Sequence, residues 1–329
     1  MSRKRVRRGI GLTVLAAVLA AAWGLGLSAP SLAQPKITFA TTATGTTGLI
    51  TTVLKHQKFD EKNGFILEAP PFDPAKSENA IVFKQVDTGP MTPVSLARVN
   101  LKGNDMRIFA PLFYNHISLM VQKDSPSASL ADLKGKKVAT MARVTGMYNT
   151  FALVNRFRGL DIEKDYQLVF GAPPVILGLL KKKEVDMGMT FEPITSRLLT
   201  EGQLKEIGTI SGLWREKTGQ PMLMIGASAH NEWLESHQDE ARRFTQALLD
   251  TLAYIHANPA AVMRANQEKL GSKTDAVLNL LGERMPKILA KEWNDAVIQN
   301  LQLQVTKAVE FGLLPRDPGG TMFVNYLKK

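Results

Sequence analysis

Two threonine- and glycine-containing segments place side chains that could bind a small polar ligand directly after apolar runs. The first, residues 41–48, contains five threonines and two glycines and precedes a predicted helix. Backbone N–H groups at a helix start favour anions and carbonyl-rich groups. We therefore expect at least one of Thr42, Thr44 and Thr46 to contact a ligand, although helix capping competes for the same hydroxyls.

The second segment, residues 142–148, adds a guanidinium and a phenol to the same arrangement. Arg143 could bind a sulfonate, carboxylate or phosphate through two parallel hydrogen bonds. A solvated loop arginine is the alternative role, and the sequence does not decide between them. We expect Thr145 and Tyr148 to face the ligand.

A third group of candidates stands next to prolines that open predicted helices. Phe191 and Glu192 precede Pro193, and Thr92 precedes Pro93. Glu192 either interacts favourably with a helix dipole or binds a ligand amine. If Glu192 and Arg143 both face the ligand, the site suits a zwitterion or an amino-substituted heterocycle better than nitrate.

The remaining candidates carry weaker signals. Tyr114, Asn115 and His116 lie between two predicted strands, where each could reach a ligand or serve only the loop. Trp214 either stacks on a ligand or covers the core. The other four histidines show no metal-ligand spacing, so we expect no metal and no cofactor.

Short apolar, β-branched runs alternate with longer amphipathic ones, which is typical of an α/β protein. From Glu232 onward the apolar spacing is helical. The predicted strands are 37–41, 65–69, 86–89, 107–112, 117–122, 137–141, 167–170, 185–190, 206–210 and 222–226.

An internal correspondence at a spacing of about one hundred residues predicts two units of like topology. A strand followed by Thr-Gly occurs at Thr44-Gly45 and again at Thr145-Gly146. The pattern Val-Asp-x-Gly occurs at 86–89 and at 185–188, and a helix-opening proline follows each. Three landmarks in the same order are a stronger signal than any one of them.

The amino-terminal residues are typical of an export signal. Five basic residues precede an apolar stretch, 10–27, and a small-x-small pattern ends at Ala33. We expect cleavage near Ala33 by the general export route; a permanent membrane anchor and twin-arginine export are the alternatives. Of the net charge of +11, cleavage would leave 36 basic and 30 acidic residues, a balance that does not indicate a nucleic-acid partner.

The sequence contains no cysteine, so it can form no disulfide and carry no lipid on a cysteine at the cleavage site. Together with the export signal, this predicts a free periplasmic protein.

Several stretches resemble the extracytoplasmic solute-binding proteins of ABC importers, in the branch that serves aliphatic sulfonates, taurine, nitrate and thiamine pyrimidine precursors. The resemblance covers nearly all of residues 34–329, and Phe-Glu-Pro is its most specific motif. The matching stretches are 62–65, 86–89, 129–138, 159–161, 185–188, 191–193 and 310–314.

The resemblance implies a two-lobed "Venus flytrap" of the type II periplasmic-binding-protein fold, with two doubly wound sheets joined by a hinge. The first lobe would comprise 34–121 and 227–329, the second 122–226, with crossings near Gln122 and Ile225. A small-molecule ligand would lie between the lobes. The protein would act as a monomer and deliver the ligand to an ABC permease with its ATPase.

Two other functions remain open from the sequence. Related pyrimidine-synthase enzymes share the implied fold, but we find no Gly-x-Ser-x-Gly motif, no Walker loop and no cysteine nucleophile, and we expect no enzyme. A periplasmic ligand sensor would use the same lobes and signal through a separate partner.

Overall fold

The computed structural model describes residues 34–328, so the predicted export signal, residues 1–33, lies outside the described residues. The strands are β1 Lys36–Thr38, β2 Ile66–Glu68, β3 Thr88–Met91, β4 Met106–Tyr114, β5 Ser118–Gln122, β6 Lys137–Thr140, β7 Gln167–Phe170, β8 Met187–Thr190, β9 Leu204–Thr209 and β10 Leu223–His230. All ten predicted strands are therefore present, with ends shifted by a few residues.

Helices connect the strands and form the C-terminal part of the chain. They are α1 Gly45–His56, α2 Phe59–Lys62, α3 Pro74–Val82, α4 Pro93–Leu101, α5 Gly146–Arg156, α6 Ile162–Asp165, α7 Pro173–Lys181, α8 Ile194–Glu201, α9 Ile210–Thr218, α10 Asn231–Ser236, α11 Gln238–Ala257, α12 Pro259–Ala265, α13 Asp275–Ile288 and α14 Asp295–Glu310. None of the helices within residues 34–328 is both long and apolar enough to span a bilayer.

Two groups of five strands have the same order and the same directions. The second group is a single five-stranded sheet, called the second sheet below. Its strand order is β7-β6-β8-β5-β9, with β5 antiparallel to both of its neighbours. The first group consists of β3-β10-β4, with β10 antiparallel to both neighbours, and the parallel pair β1-β2. A parallel bridge between Phe39 and Thr88 joins β1 to β3. The correspondence predicted from the repeated motifs is thus confirmed in the strand order.

The aspartate of each Val-Asp-x-Gly motif ties the start of β3 or β8 to the first strand of its own group. Asp87 accepts hydrogen bonds from the backbone N–H and the hydroxyl of Thr38, at 2.8 and 2.6 Å. Asp186 accepts one from the backbone N–H of Lys137, at 2.9 Å. A carboxylate at this position satisfies strand-end donors that have no ladder partner.

The glycine of each motif allows a helix to pack closely on its strand. A Cβ atom added at Gly89 would lie 2.7 Å from Cδ1 of Ile81, and one at Gly188 would lie 2.7 Å from Cδ1 of Leu180. Both contacted side chains are fully buried. The same sequence pattern therefore serves the same packing in both groups.

The chain passes between the two groups at positions that differ from the expected ones. It leaves β4 at Tyr114 and enters the second sheet at Ser118, so the first crossing is Asn115–Ile117 and β5 lies wholly in the second sheet. The return crossing ends at Met222, before β10 enters the first group. Apolar runs lie on both sides of the first crossing, so composition does not mark the change of sheet there. The lobe boundaries themselves remain a prediction.

The C-terminal helices pack against the first group. Phe244 of α11 contacts Phe39, Phe65 and Phe109, with ring centroids 5.6, 5.9 and 5.8 Å away. All four rings are fully buried. Such aromatic clusters contribute large buried apolar areas, and this one joins three strand regions to α11.

We predict that Gly188→Ala lowers the free energy of unfolding by about 1–3 kcal/mol, because its added methyl group overlaps the buried Leu180. The matched control is Gly178→Ala in α7, the helix that carries Leu180, where an added Cβ would contact nothing within 4 Å. That change should stabilise by about 0.5–1 kcal/mol. Chemical denaturation of both variants measures the two values, and equal effects would contradict the packing argument.

Candidate functional site

Three helices begin with a threonine N-cap where a parallel strand region ends. Thr44 caps α1 after the β1 segment, Thr92 caps α4 after β3, and Thr145 caps α5 after β6. None of the three helices has an acidic residue in its first turn. Their unpaired N–H groups and positive dipole ends are therefore not neutralised from within the helices.

The helix starts of the two groups lie next to one another. A Cβ atom placed on Gly146, the first residue of α5, would lie 3.0 Å from the methyl group of Thr92 and 3.6 Å from Cε of Met224. Within the first group, the backbone N–H of Ala40 donates to Thr88, so the chain leading to α1 runs beside β3. The predicted residues Thr44, Thr92 and Thr145 thus stand at helix starts on one side of the fold.

The threonine hydroxyls are used to different extents. The side chain of Thr92 accepts from the N–H of Ser95, and that of Thr145 accepts from the N–H of Tyr148. The Thr42 hydroxyl donates to the carbonyl of Thr44, whereas the exposed side chain of Thr44 makes no capping bond. Thr46 is buried. Capping therefore uses the hydroxyls of Thr92 and Thr145 but not that of Thr44, and ligand contact by these threonines stays a prediction.

Arg143 belongs to an ion pair on the surface of this loop. Its guanidinium donates to both carboxylate oxygens of Glu163, at 2.6 and 2.8 Å, and lies 4.5 Å from the centre of the Phe170 ring. The hydroxyl of Tyr148 donates to the same carboxylate. The hydrogen bond from Arg143 holds the pKa of Glu163 below its usual range, while burial and this contact raise the pKa of Tyr148 to about 12.

Glu192 is buried and paired, which removes it as a free partner for a ligand amine. Its carboxylate accepts a hydrogen bond from Nε of Arg284 in α13 and another from the N–H of Ser196 at 3.0 Å. Only 1% of Glu192 is exposed. The expectation that Arg143 and Glu192 jointly offer free charges of opposite sign therefore has no support in the structure.

The same arginine also binds a second carboxylate. The two terminal nitrogens of Arg284 donate to the two oxygens of Glu206 at 2.9 Å each. Burial acts to raise the pKa of Glu206, but hydrogen bonds from Arg284 and Ser118 outweigh it, and the pKa lies below the usual carboxyl range. One guanidinium thus joins α13 to the loop after β8 and to β9.

The candidates at the first crossing are buried and occupied by local contacts. Asn115 donates from its backbone N–H to the carbonyl of Met222, and its side-chain oxygen accepts from Ile117. Tyr114 is 9% exposed, and burial raises its pKa. The His116 ring lies between those of Phe113 and Phe191. Burial, assisted by the charge of Arg284, lowers the pKa of His116 to about 4, so the imidazole is neutral at pH 7.

Trp214 lies in the core, so of its two predicted roles the structure supports packing. Its side chain is fully buried, and its ring meets Phe157 edge-on with centroids 5.2 Å apart. The cause is the contact of α9 with α5, which covers the indole. Phe191 is partly buried and contacts His116 edge-on at 6.2 Å.

Two surface depressions lie at opposite ends of the first group. One, of about 370 Å³, adjoins the loop before α1 and is lined by Ala43, Pro71, Phe72, Asp73 and Lys76. The other, of about 740 Å³, lies beyond the far end of β10, around His230 and Glu232. We place the candidate site at the starts of α1, α4 and α5; of these three, the smaller depression adjoins only the start of α1, through Ala43. Within residues 34–328, no three histidine or acidic side chains are grouped so as to hold a metal ion.

The sequence reasoning missed three residues that shape this site: Arg284, Glu163 and Phe170. Nothing in their local patterns marks them, because each acts through a partner distant in the chain. Arg284 and Glu192 are 92 residues apart, and Arg143 and Glu163 are 20 residues apart.

The sequence profile described as NMT1/THI5 like matches residues 63–262. The chain belongs to the NMT1/THI5-like family. A comparison with curated proteins found no match.

Solved structures similar to this NMT1/THI5-like chain have the periplasmic-binding-protein fold. The periplasmic aliphatic sulphonate binding protein SsuA from Escherichia coli is 17% identical with a TM-score of 0.70, covering 86% of this chain and 94% of that one. The alkanesulfonate-binding protein SsuA from Xanthomonas axonopodis pv. citri, bound to MOPS, is 14% identical with a TM-score of 0.70, covering 89% and 99%. The desulfurization enzyme DSZB is 14% identical with a TM-score of 0.61, covering 87% and 94%. At these identities the likeness shows the fold alone.

We predict that Arg284→Met lowers the free energy of unfolding by about 3–5 kcal/mol at pH 7, because it leaves the buried Glu192 without its partner. The matched control is Arg264→Met, which breaks an exposed pair with Asp275 and should cost less than about 1 kcal/mol. Chemical denaturation measures both.

The pH dependence of the free energy of unfolding tests the same ion pairs in the Arg284→Met variant. The folded-state pKa of Glu206 lies below the unfolded value of about 4.3, so its stabilisation is present above that pH and is lost as the pH falls through the folded pKa. The difference between wild type and Arg284→Met should therefore shrink below about pH 4. A difference that stays constant down to pH 3 would contradict the ion-pair explanation.

Proposed function

We propose that this protein is an extracytoplasmic solute-binding protein that captures a small organic sulfonate between two lobes. The single observation that carries the proposal is the juxtaposition of the starts of α4 and α5, one from each group of strands, each capped by threonine and with no acidic residue in its own first turn. A sulfonate has three oxygens that accept hydrogen bonds, and N–H groups at helix starts supply donors without a counter-charge. Family membership and the titles of the similar SsuA structures support this substrate class.

The pairing of the nearby charges favours an anion over the other ligands considered. An amino-substituted heterocycle or the ammonium group of a zwitterion needs a free acceptor, and Glu192 is already paired with Arg284. The dipoles of α1, α4 and α5 provide the positive potential that remains. The sulfonate therefore contributes the charge that the site lacks.

The lobe boundaries expected from the sequence are 34–121 with 227–329, and 122–226. The strand pairing moves the proposed lobes to 34–114 with 223–329, and 118–218. Asn115–Ile117 and the segment before Met222 would act as hinges. Ligand binding would close the lobes about them and shift the population from open to closed forms. The closed monomer would then deliver its ligand to an ABC permease with its ATPase. Export to the periplasm by the signal in residues 1–33 completes the proposal.

The enzyme alternative has a specific observation in its favour, the similarity to DSZB, one of whose structures holds biphenyl-2-sulfinic acid. That structure is of a cysteine-to-serine mutant, and this chain contains no cysteine at all. Thiol chemistry is thus not available here. Recovery of an added sulfonate unchanged after long incubation distinguishes binding from turnover.

We predict that calorimetry on residues 34–329 detects binding of organic sulfonates in preference to nitrate and inorganic sulfate. Thr44→Val should weaken sulfonate binding about tenfold, because it removes a hydroxyl that no capping bond uses and that a charged ligand can engage.

The control for this variant is Thr274→Val. Thr274 is likewise an exposed N-cap threonine without a capping bond, at the start of α13, and its replacement should leave affinity unchanged. Absence of binding by every sulfonate tested, or tighter binding of nitrate, would contradict the proposal.

A further inference from the structure

Exposed apolar side chains are concentrated beside the start of α5. Among the described residues, four large apolar side chains are markedly exposed, and three of them lie at or just after the ends of the neighbouring strands β6 and β7. They are Val144, Phe170 and Val175, which are 78%, 38% and 52% exposed. We call these three the apolar platform. Val144 directly precedes the Thr145 cap, and Phe170 contacts the helix that this cap begins, since Tyr148 and Phe170 have ring centroids 6.3 Å apart. Val175 lies against Gly171, the residue after Phe170.

A compensated charge borders the apolar platform. Glu163 holds the guanidinium of Arg143 by two hydrogen bonds, and the guanidinium lies over the Phe170 ring. Tyr148 donates its hydroxyl to the same carboxylate. The guanidinium is thereby satisfied by a resident carboxylate, which occupies the two donors that an anionic ligand would otherwise engage.

We propose that Glu163 is a specificity-determining positioning residue, which keeps Arg143 on Phe170 and so makes this side of the site select sulfonates that carry an aromatic or bulky apolar group. The inference rests on the proposed function and names its substrate class more closely. Small bare anions gain nothing from the apolar platform, and Glu163 already neutralises the arginine that would attract them. An aryl group gains apolar burial and contact with the Phe170 ring edge or face.

The size and position of the apolar platform favour a small ligand over a protein partner. Three partly exposed side chains offer only a few hundred Å², whereas a stable protein interface buries about 800 Å² on each partner. Val144 directly precedes the Thr145 cap. One small molecule can therefore place its anionic group at the start of α5 and its apolar substituent on the apolar platform. The occupant is therefore the apolar part of the sulfonate itself.

Removal of the Glu163 charge would release Arg143. An exposed ion pair is held by little net free energy, so the arginine is free to bind another anion once its carboxylate is gone. The variant should then bind small anions better, because a free guanidinium offers two parallel donors to a sulfonate or sulfate. Its preference for an aryl substituent should fall accordingly.

The test compares calorimetric affinities for benzenesulfonate, methanesulfonate and inorganic sulfate. Wild type should bind benzenesulfonate at least about tenfold more tightly than methanesulfonate. In Glu163→Gln, affinity for methanesulfonate and sulfate should rise about fivefold and the aryl preference should fall. Adding Arg143→Gln to that variant should abolish the gain, and Glu163→Asp should retain wild-type selectivity.

The control is Glu232→Gln, which breaks another exposed ion pair, with Lys84, beside the first group of strands. It should leave all three affinities unchanged, and circular dichroism verifies the fold of each variant. An unaltered aryl-to-methyl ratio in Glu163→Gln, or equal affinities in wild type, overturns this inference alone. Failure of wild type to bind any sulfonate overturns both it and the proposed function.

Discussion

The geometry of the candidate site depends on the ion pairs of Arg284, a largely buried arginine whose side chain is 18% exposed. A guanidinium removed from water is tolerated only when carboxylates and hydrogen bonds compensate it, and here Glu192 and Glu206 do so from the second sheet. Because α13 packs with the first group, this contact holds the Phe191–Pro193 loop against the first crossing. Burial lowers the pKa of His116, and the positive charge of Arg284 lowers it further, so that the imidazole ring is uncharged at pH 7.

The two sets of ion pairs give the site its chemical character. Glu192 is paired with Arg284, and Arg143 with Glu163. The charged side chains that sequence patterns mark as ligand contacts are therefore engaged within the protein. Positive potential remains at the threonine-capped starts of α1, α4 and α5. A ligand that brings its own negative charge and many acceptors fits such a site better than one that needs a carboxylate.

The features that the sequence predicts correctly have local causes. Apolar runs mark all ten strands, and the repeated Val-Asp-x-Gly motif indicates two groups of like topology, because its aspartate and glycine serve contacts that each group makes in the same way. Threonine before a helix start is likewise a local signal, and Thr92 and Thr145 are side-chain caps as that signal indicates.

The features that sequence reasoning misses depend on contacts between distant residues. No pattern near Glu192 shows that Arg284 neutralises it, and none near Arg143 points to Glu163. Trp214 is equally covered by a helix from elsewhere in the chain. The crossing between β4 and β5 escapes prediction for another reason, since both strands are apolar and only the pairing of β5 with β8 and β9 assigns it to the second sheet.

An anionic group should bind where helices of both groups of strands begin. A crystal structure of residues 34–329 with an organic sulfonate, located by the anomalous signal of a bromine substituent, tests it most directly. We expect sulfonate oxygens about 2.7–3.2 Å from the backbone nitrogens at two or more of the helix starts of α1, α4 and α5. A sulfonate bound elsewhere, such as in the depression around His230 and Glu232, would contradict it.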